Sequence, residues 1–227
     1  MTEENKQPID DIKTNISQTN WFREHWQFLI NIFLFLALSI GSGIEIHKRY
    51  INHRLGYVEI AFALQNIILV SYILIRKQHR DVDRNIFNQF IALVAFFSGL
   101  AIFSVEHPLT PHPTALFVSK IVTFMSNTLG AITLLNLGRS FGILIAYREV
   151  KSGGLYSIVR HPMYGTDILL RIGFVISHFS WLTIFILVAS SGCYVYRAIL
   201  EERFLSKQPD YAEYMKKVKY RFIPYIF

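Results

Sequence analysis

Arg160-His161-Pro162-Met163-Tyr164 places a guanidinium, an imidazole and a phenol within five positions, and Arg197 and the adjacent acids Glu201-Glu202 follow one apolar hairpin later. Pro162 lacks a backbone donor and biases His161 toward extended backbone, so a helix is expected to start near Pro162. A helix start leaves N–H groups unpaired, and these, with the positive end of the helix dipole, favour a carboxylate. On spacing alone the same residues read first as a helix-opening proline beside an interfacial histidine, and second as a ligand site. Arg197 and Glu201 lie four apart on one helix face, and Glu202 lies about 100° further round. Such a pair of acids can bind an ammonium or ribose hydroxyls. It can equally form a solvated face whose ion pair contributes about 0–1 kcal/mol.

The elements that must bring these clusters together are apolar. The chain of 227 residues is 52% hydrophobic and 15% aromatic, and its mean hydropathy of +0.32 exceeds that of an ordinary soluble domain. Four segments, Trp26 to Ile44, Gly56 to Ile75, Ile86 to Val105 and Ala115 to Leu137, approach the roughly 20 residues that cross a bilayer core. Two shorter runs, Met163 to Ile176 and Trp181 to Tyr196, are separated only by Ser177-His178-Phe179-Ser180 and form a tight antiparallel hairpin. The expected fold is all-α and polytopic, with about six membrane segments and a cytoplasmic cofactor pocket. Residues 1–25 form a polar cytoplasmic arm and 26–137 four transmembrane helices. Residues 138–227 supply a loop, the hairpin and a cytoplasmic tail, in one domain with 26–137.

Orientation follows from the basic residues. Eighteen Lys and Arg fall in the N-terminus, the 76–85 and 138–162 loops and the tail from Arg197, against three (Lys48, Arg49, Arg54) in the opposite loops. Cytoplasmic loops carry such an excess. Both termini and both polar clusters are therefore expected at the cytoplasmic face of a multi-pass integral membrane protein. The net charge of +7 is spread over these loops without a nucleic-acid motif, which argues against a nucleic-acid partner. Cys193 is solitary, so neither a disulfide framework nor a thiolate metal site can be built. His107 and His112 match no metal-ligand spacing, and no metal is expected. The first 25 residues hold five acids against three basic residues, unlike a secretory signal. Asp167 and Arg171, four apart inside the hairpin, read first as a structural ion pair and second as a substrate anchor. Asn127 and Asn136 are expected to bond neighbouring helices.

The order Leu137-Gly138-Arg139-Ser140, Gly154-Leu155-Tyr156, Arg160-His161-Pro162-Met163-Tyr164, hairpin, Glu201-Glu202-x-x-Leu205, Tyr211-x-x-Tyr214 and Ile223-Pro224 resembles the isoprenylcysteine carboxyl methyltransferase family and its phospholipid methyltransferase relatives, over roughly residues 120–227. The resemblance implies S-adenosylmethionine as cofactor. Arg148, Glu149, Val150, Lys151, Tyr156, His161, Pro162, Met163, Tyr164 and Glu201 would hold it, with Glu202 beside them. It implies Arg197 as the substrate-contacting arginine, and Arg160 and Arg139 complete the candidate catalytic guanidiniums. A lipophilic or prenylated substrate would enter sideways from the bilayer, most like a prenylcysteine carboxylate undergoing O-methylation. The turn departs from the family in having Leu155 where proline often follows the glycine, and the first four helices carry no matching motif.

Methyl transfer from an activated sulfonium needs alignment and exclusion of water more than strong acid or base catalysis. A carboxylate acceptor needs a guanidinium to orient it, whereas an amine acceptor must also lose a proton. Phospholipid or small-lipid N-methylation is the alternative within this class. Outside it stand a sterol-reductase-like enzyme using NADPH, suggested by Tyr220-Arg221-Phe222-Ile223-Pro224, and a membrane scaffold without cofactor affinity.

Overall fold

The computed structural model describes residues 57–98 and 112–226, together with 32–51 apart from positions 34, 42, 45 and 49. The expected N-terminal arm, the start of the first segment and the stretch from 99 to 105 lie outside the described residues. The described positions within 32–51 are helical. Then follow α1 (Tyr57–Ile75), β1 (Asp81–Val82), α2 (Ile86–Ser98), α3 (Pro113–Leu137), β2 (Ala146–Tyr147), α4 (Pro162–Ser177), α5 (Trp181–Leu205) and α6 (Pro209–Lys217). Two stretches, Pro113–Ser140 and Trp181–Leu205, are long and apolar enough to cross a membrane, while Ile60–Ile75 and Ile86–Ser98 are apolar but shorter. Of the six expected spans, these two reach full length among the described residues.

The hairpin forms where the sequence places it, because its turn is capped from both sides. Ser180 and Thr183 exchange side-chain and backbone hydrogen bonds in a capping box that opens α5. The second leg outruns its apolar stretch by nine residues, continuing from Tyr196 to Leu205. Charge does not end it, since Arg197, Glu201 and Glu202 all find partners within the protein.

Helix α4 packs along α3 through small side chains. Ser119 Oγ donates to Gly173 O (2.6 Å) and Ser126 Oγ to Thr166 O (2.6 Å). Leu69, Ile73 and Leu134 join Phe141 and Ile143 in a core between α1, α3 and the following loop. Ala95 of α2 packs with Tyr164, Tyr194 and Ala198. Asn127 departs from expectation: it is fully buried, yet neither amide atom is hydrogen-bonded among the described residues.

A two-residue antiparallel ladder, Asp81 opposite Tyr147 and Val82 opposite Ala146, adds a feature that the all-α expectation lacked. It ties the 76–85 loop to the 138–162 loop, helped by Lys77 N donating to Arg139 O (2.8 Å). Gln89 braces the same loop, accepting from Ile145 N (3.0 Å) and donating to Ile145 O (2.9 Å). The tail joins through Arg160 N to Tyr220 O (2.9 Å) and His161 N to Arg221 O (2.8 Å). Three of the basic stretches thus converge at one end of the helices.

Candidate functional site

Helix α4 starts at Pro162 with His161 as its N-cap residue, so the imidazole stands at the mouth of the hairpin. It faces the last turns of α5. His161 Nε2 lies 3.1 Å from Glu202 Oε1, and Nδ1 lies 3.9 Å from Glu201 Oε2. The ring stacks on Tyr164 at 5.3 Å between centroids, and Tyr164 Oη donates to Glu201 Oε1 (2.7 Å). The two polar clusters, 40 residues apart in sequence, therefore meet around one imidazole.

The adjacent acids do different things. Glu202 is 4% exposed and is enclosed by His161, by Arg221 Nε (2.9 Å) and by Arg160 Nε (2.8 Å), the last a charge contact without an aligned N–H. Glu201, on the neighbouring face, borders a hollow also lined by Arg148, Tyr156, His161, Met163 and Tyr164. Glu149, Val150, Lys151, Arg160 and Arg197 line it as well. Pro162 starts the helix, and Glu202 backs His161; neither lines the hollow. Arg139 stands outside it, exposed, with Nε donating to Ile75 O (2.8 Å) at the end of α1.

Arg197 is 2% exposed and extensively bonded. Nε donates to Glu201 Oε1 (3.2 Å), Nη1 to Ala92 O (3.0 Å), and Nη2 to Ile143 O (2.6 Å) and Gly142 O (3.5 Å). A guanidinium has five N–H donors, so these bonds leave one. Buried carbonyls of α2 and the 141–146 loop thus fix its position.

Arg148 also lines the hollow, its Nε donating to Lys77 O (3.2 Å). A Cβ on Gly142 would stand 2.4 Å from Arg148 Nη1, so glycine permits this approach. Burial holds the Arg148 guanidinium below its ordinary value, and the Glu201 carboxylate opposes the shift. Arg76 nearby is lowered to about 10, by burial and then by Arg148. Glu149 is lowered to about 2 by hydrogen bonds from Lys77 and Lys151. The turn at Gly154 takes φ +58°, and a Cβ there would meet Asn136 Nδ2 at 2.2 Å. It delivers Tyr156, whose phenol burial holds well above its ordinary value, and whose carbonyl accepts from Tyr214 Oη (2.7 Å).

Residues 113–212 match the model of the phospholipid methyltransferase family. The match covers 100 of the chain's 227 residues, and over them the chain is similar to that family. The matched segment runs from α3 through the hairpin into α6 and holds both polar clusters, while Tyr214 and Ile223-Pro224 of the motif resemblance lie beyond it. The family is one of membrane methyltransferases. No curated protein matches the chain.

Several lining residues had no separate standing in the sequence. Tyr194, three before Arg197 on the same helix, borders the hollow, as do Phe96 and Ser140. Helical spacing from Arg197 could have indicated Tyr194. Phe96 comes from a helix distant in sequence, and nothing local marks it. Asp167 also lines the hollow. It does not pair directly with Arg171 among the described ion pairs; Tyr194 Oη stands between them, donating to Asp167 Oδ2 (2.6 Å) and accepting from Arg171 Nη2 (3.0 Å).

Proposed function

We propose that the chain is an S-adenosylmethionine-dependent methyltransferase acting on a lipophilic acceptor at the cytoplasmic face of a membrane. The observation that carries this reading is the juxtaposition of Glu201, Tyr164, His161 and Arg148 around one hollow in the family-matched segment.

The residues fit such a cofactor. Glu201 supplies a carboxylate for its ammonium, while Arg148 and the start of α4 supply positive charge for its carboxylate, with the His161 ring beside them. Tyr156, Val150 and Leu205 offer apolar surface for the nucleoside. Ser140 Oγ, buried in the same wall without a hydrogen-bond partner, is a donor suited to a bound polar group. When bound, the cofactor supplies an activated methyl group. The protein's part is alignment: Tyr164 and Arg197 hold Glu201 in place, and Glu202, Arg160 and Arg221 hold the imidazole from behind. The convergence of the basic loops and tail at the mouth of the hollow supports a cytoplasmic placement through the positive-inside rule.

Within this class, the motif resemblance points to O-methylation of a prenylcysteine carboxylate, with Arg197 orienting the acceptor. A second reading, N-methylation of an amine-bearing lipid, is favoured by one observation: Arg197 already spends most of its donors on Glu201 and three backbone carbonyls. Bidentate capture of a carboxylate would require some of those bonds to break. Methyl transfer from labelled S-adenosylmethionine to a farnesyl-cysteine analogue and, separately, to phosphatidylethanolamine tests the reading. Labelling of either supports methyl transfer to a lipid, and labelling of neither, nor of total extracted lipid, overturns it.

A further inference from the structure

Asp167 and Arg171 lie within α4 at positions where membrane segments rarely carry charge, and such residues are retained for a reason. If Asp167 served only to neutralise Arg171, a direct contact would do so best. Instead the Tyr194 hydroxyl separates them, receiving one hydrogen bond from Arg171 and giving one to Asp167. Arg171 sits over the Tyr194 ring (4.5 Å to its centroid), is buried, and keeps Nη1 without a hydrogen-bond partner. Asp167 and Tyr194 line the hollow, and Arg171 is not among its lining residues. The hollow therefore meets the carboxylate, while the balancing cation is held behind a tyrosine ring.

Depth separates this carboxylate from the cofactor end. Asp167 lies six residues beyond His161 along α4, about 9 Å at the helical rise, and Tyr194 lies seven residues before Glu201 along α5, about 10 Å. Tyr164 joins the two levels, stacking on His161 (5.3 Å) and on Tyr194 (5.0 Å). One end of the hollow thus has His161, Glu201 and the helix start, and the other has an oriented anion.

We propose that Asp167, fixed by the Tyr194 hydroxyl with Arg171 behind it, is the acceptor-side subsite of this hollow and selects a nitrogen-bearing, N–H-donating lipid head group over a carboxylate. The proposal rests on the methyltransferase reading. The Tyr194 hydroxyl donates to Oδ2 and so fixes the carboxylate, and Oδ1 has no hydrogen bond among the described residues, so it can accept from an N–H of the methyl acceptor. A carboxylate head group would meet like charge at the same place. Asp167 is here a specificity-determining residue, and Tyr194 and Arg171 position it.

The test uses the full chain in nanodiscs containing phosphatidylethanolamine, with S-adenosylhomocysteine binding and acceptor kinetics measured in parallel. Asp167→Asn is expected to raise KM for the amine lipid, or lower kcat/KM, by about tenfold or more, while S-adenosylhomocysteine affinity stays within about twofold. Tyr194→Phe keeps the carboxylate but frees it to rotate, with an expected loss of about threefold to tenfold in kcat/KM. Asp167→Glu restores part of the activity. Unchanged amine kinetics in both Asp167→Asn and Tyr194→Phe, with cofactor binding intact, overturn the subsite. So does a wild-type protein that methylates only the farnesyl-cysteine carboxylate. Failure of the wild type to bind S-adenosylhomocysteine overturns the methyltransferase reading itself, and the subsite falls with it.

Discussion

The two faces at the end of α5 carry adjacent carboxylates in opposite settings. On the Glu202 face every strong neighbour belongs to the protein: Arg160, His161 and Arg221 enclose a nearly inaccessible acid. On the Glu201 face, Tyr164 and Arg197 reach the same oxygen, Oε1, and the residue borders the hollow. One helical step separates a carboxylate that holds the site together from one available to a ligand. Helical spacing alone sets the two side chains about 100° apart, and the structure shows which of the two faces borders the hollow.

Glu202→Ala should produce the largest effect. It strips a buried site of its anion and leaves Arg160, His161 and Arg221 facing one another, at a cost of about 3–5 kcal/mol. Thermal or denaturant unfolding in detergent should show strong destabilisation, and near-wild-type stability would break the contrast between the faces. Glu201→Gln should behave differently, retaining cooperative unfolding while lowering methyl-transfer kcat/KM by about tenfold to a hundredfold.

Removing residues 218–227 should follow in size. That truncation deletes the carbonyls that accept from Arg160 N and His161 N, together with the Arg221 guanidinium beside Glu202. Cofactor affinity should fall about tenfold while α3 and the hairpin remain helical by circular dichroism. Equal affinity would mean that the tail does not position His161.

The smallest effect is expected elsewhere on the lining of the hollow, where Lys77 and Lys151 clasp the half-buried Glu149. Glu149→Gln should shift the unfolding midpoint by about 2 °C or less, and added salt should erase the difference. The carboxyl is lowered from 4.5 to about 2 in the folded protein, so its contribution is present above pH 4.5 and is lost as pH falls from there through about 2. A difference between wild type and variant that grows on acidification would contradict that sign.

Much of this arrangement was legible because it is local. Pro162 opens a helix, Ser177 to Ser180 turns a hairpin, Gly154 takes the positive φ that its turn needs, and Arg197 pairs with Glu201 four residues on. Nonlocal partners were not legible. The reach of α5 to Leu205 depends on protein groups that neutralise its charges, and the immobilisation of Arg197 depends on carbonyls of Ala92 and Ile143, which lie far off in sequence. The Asp167 and Arg171 spacing suggested a direct pair, and Tyr194 came between them because the second hairpin leg delivers its hydroxyl at that depth. Likewise, apolar length marked the α3 stretch as a span and gave both hairpin legs as shorter runs; α5 is long enough to cross, whereas α4 is 16 residues long with two charges inside it and depends on α3 for its packing.

The central claim is that His161 and Glu201 border one hollow that takes a sulfonium-bearing nucleoside with an amino-acid tail. Calorimetric titration of the purified chain with S-adenosylhomocysteine, beside its Glu201→Gln and His161→Ala variants, tests it most directly. The account predicts one saturable site per chain in the wild type, weakened about tenfold or more in each variant. Absence of binding to a folded wild type, or variants that bind as tightly as it does, would contradict it.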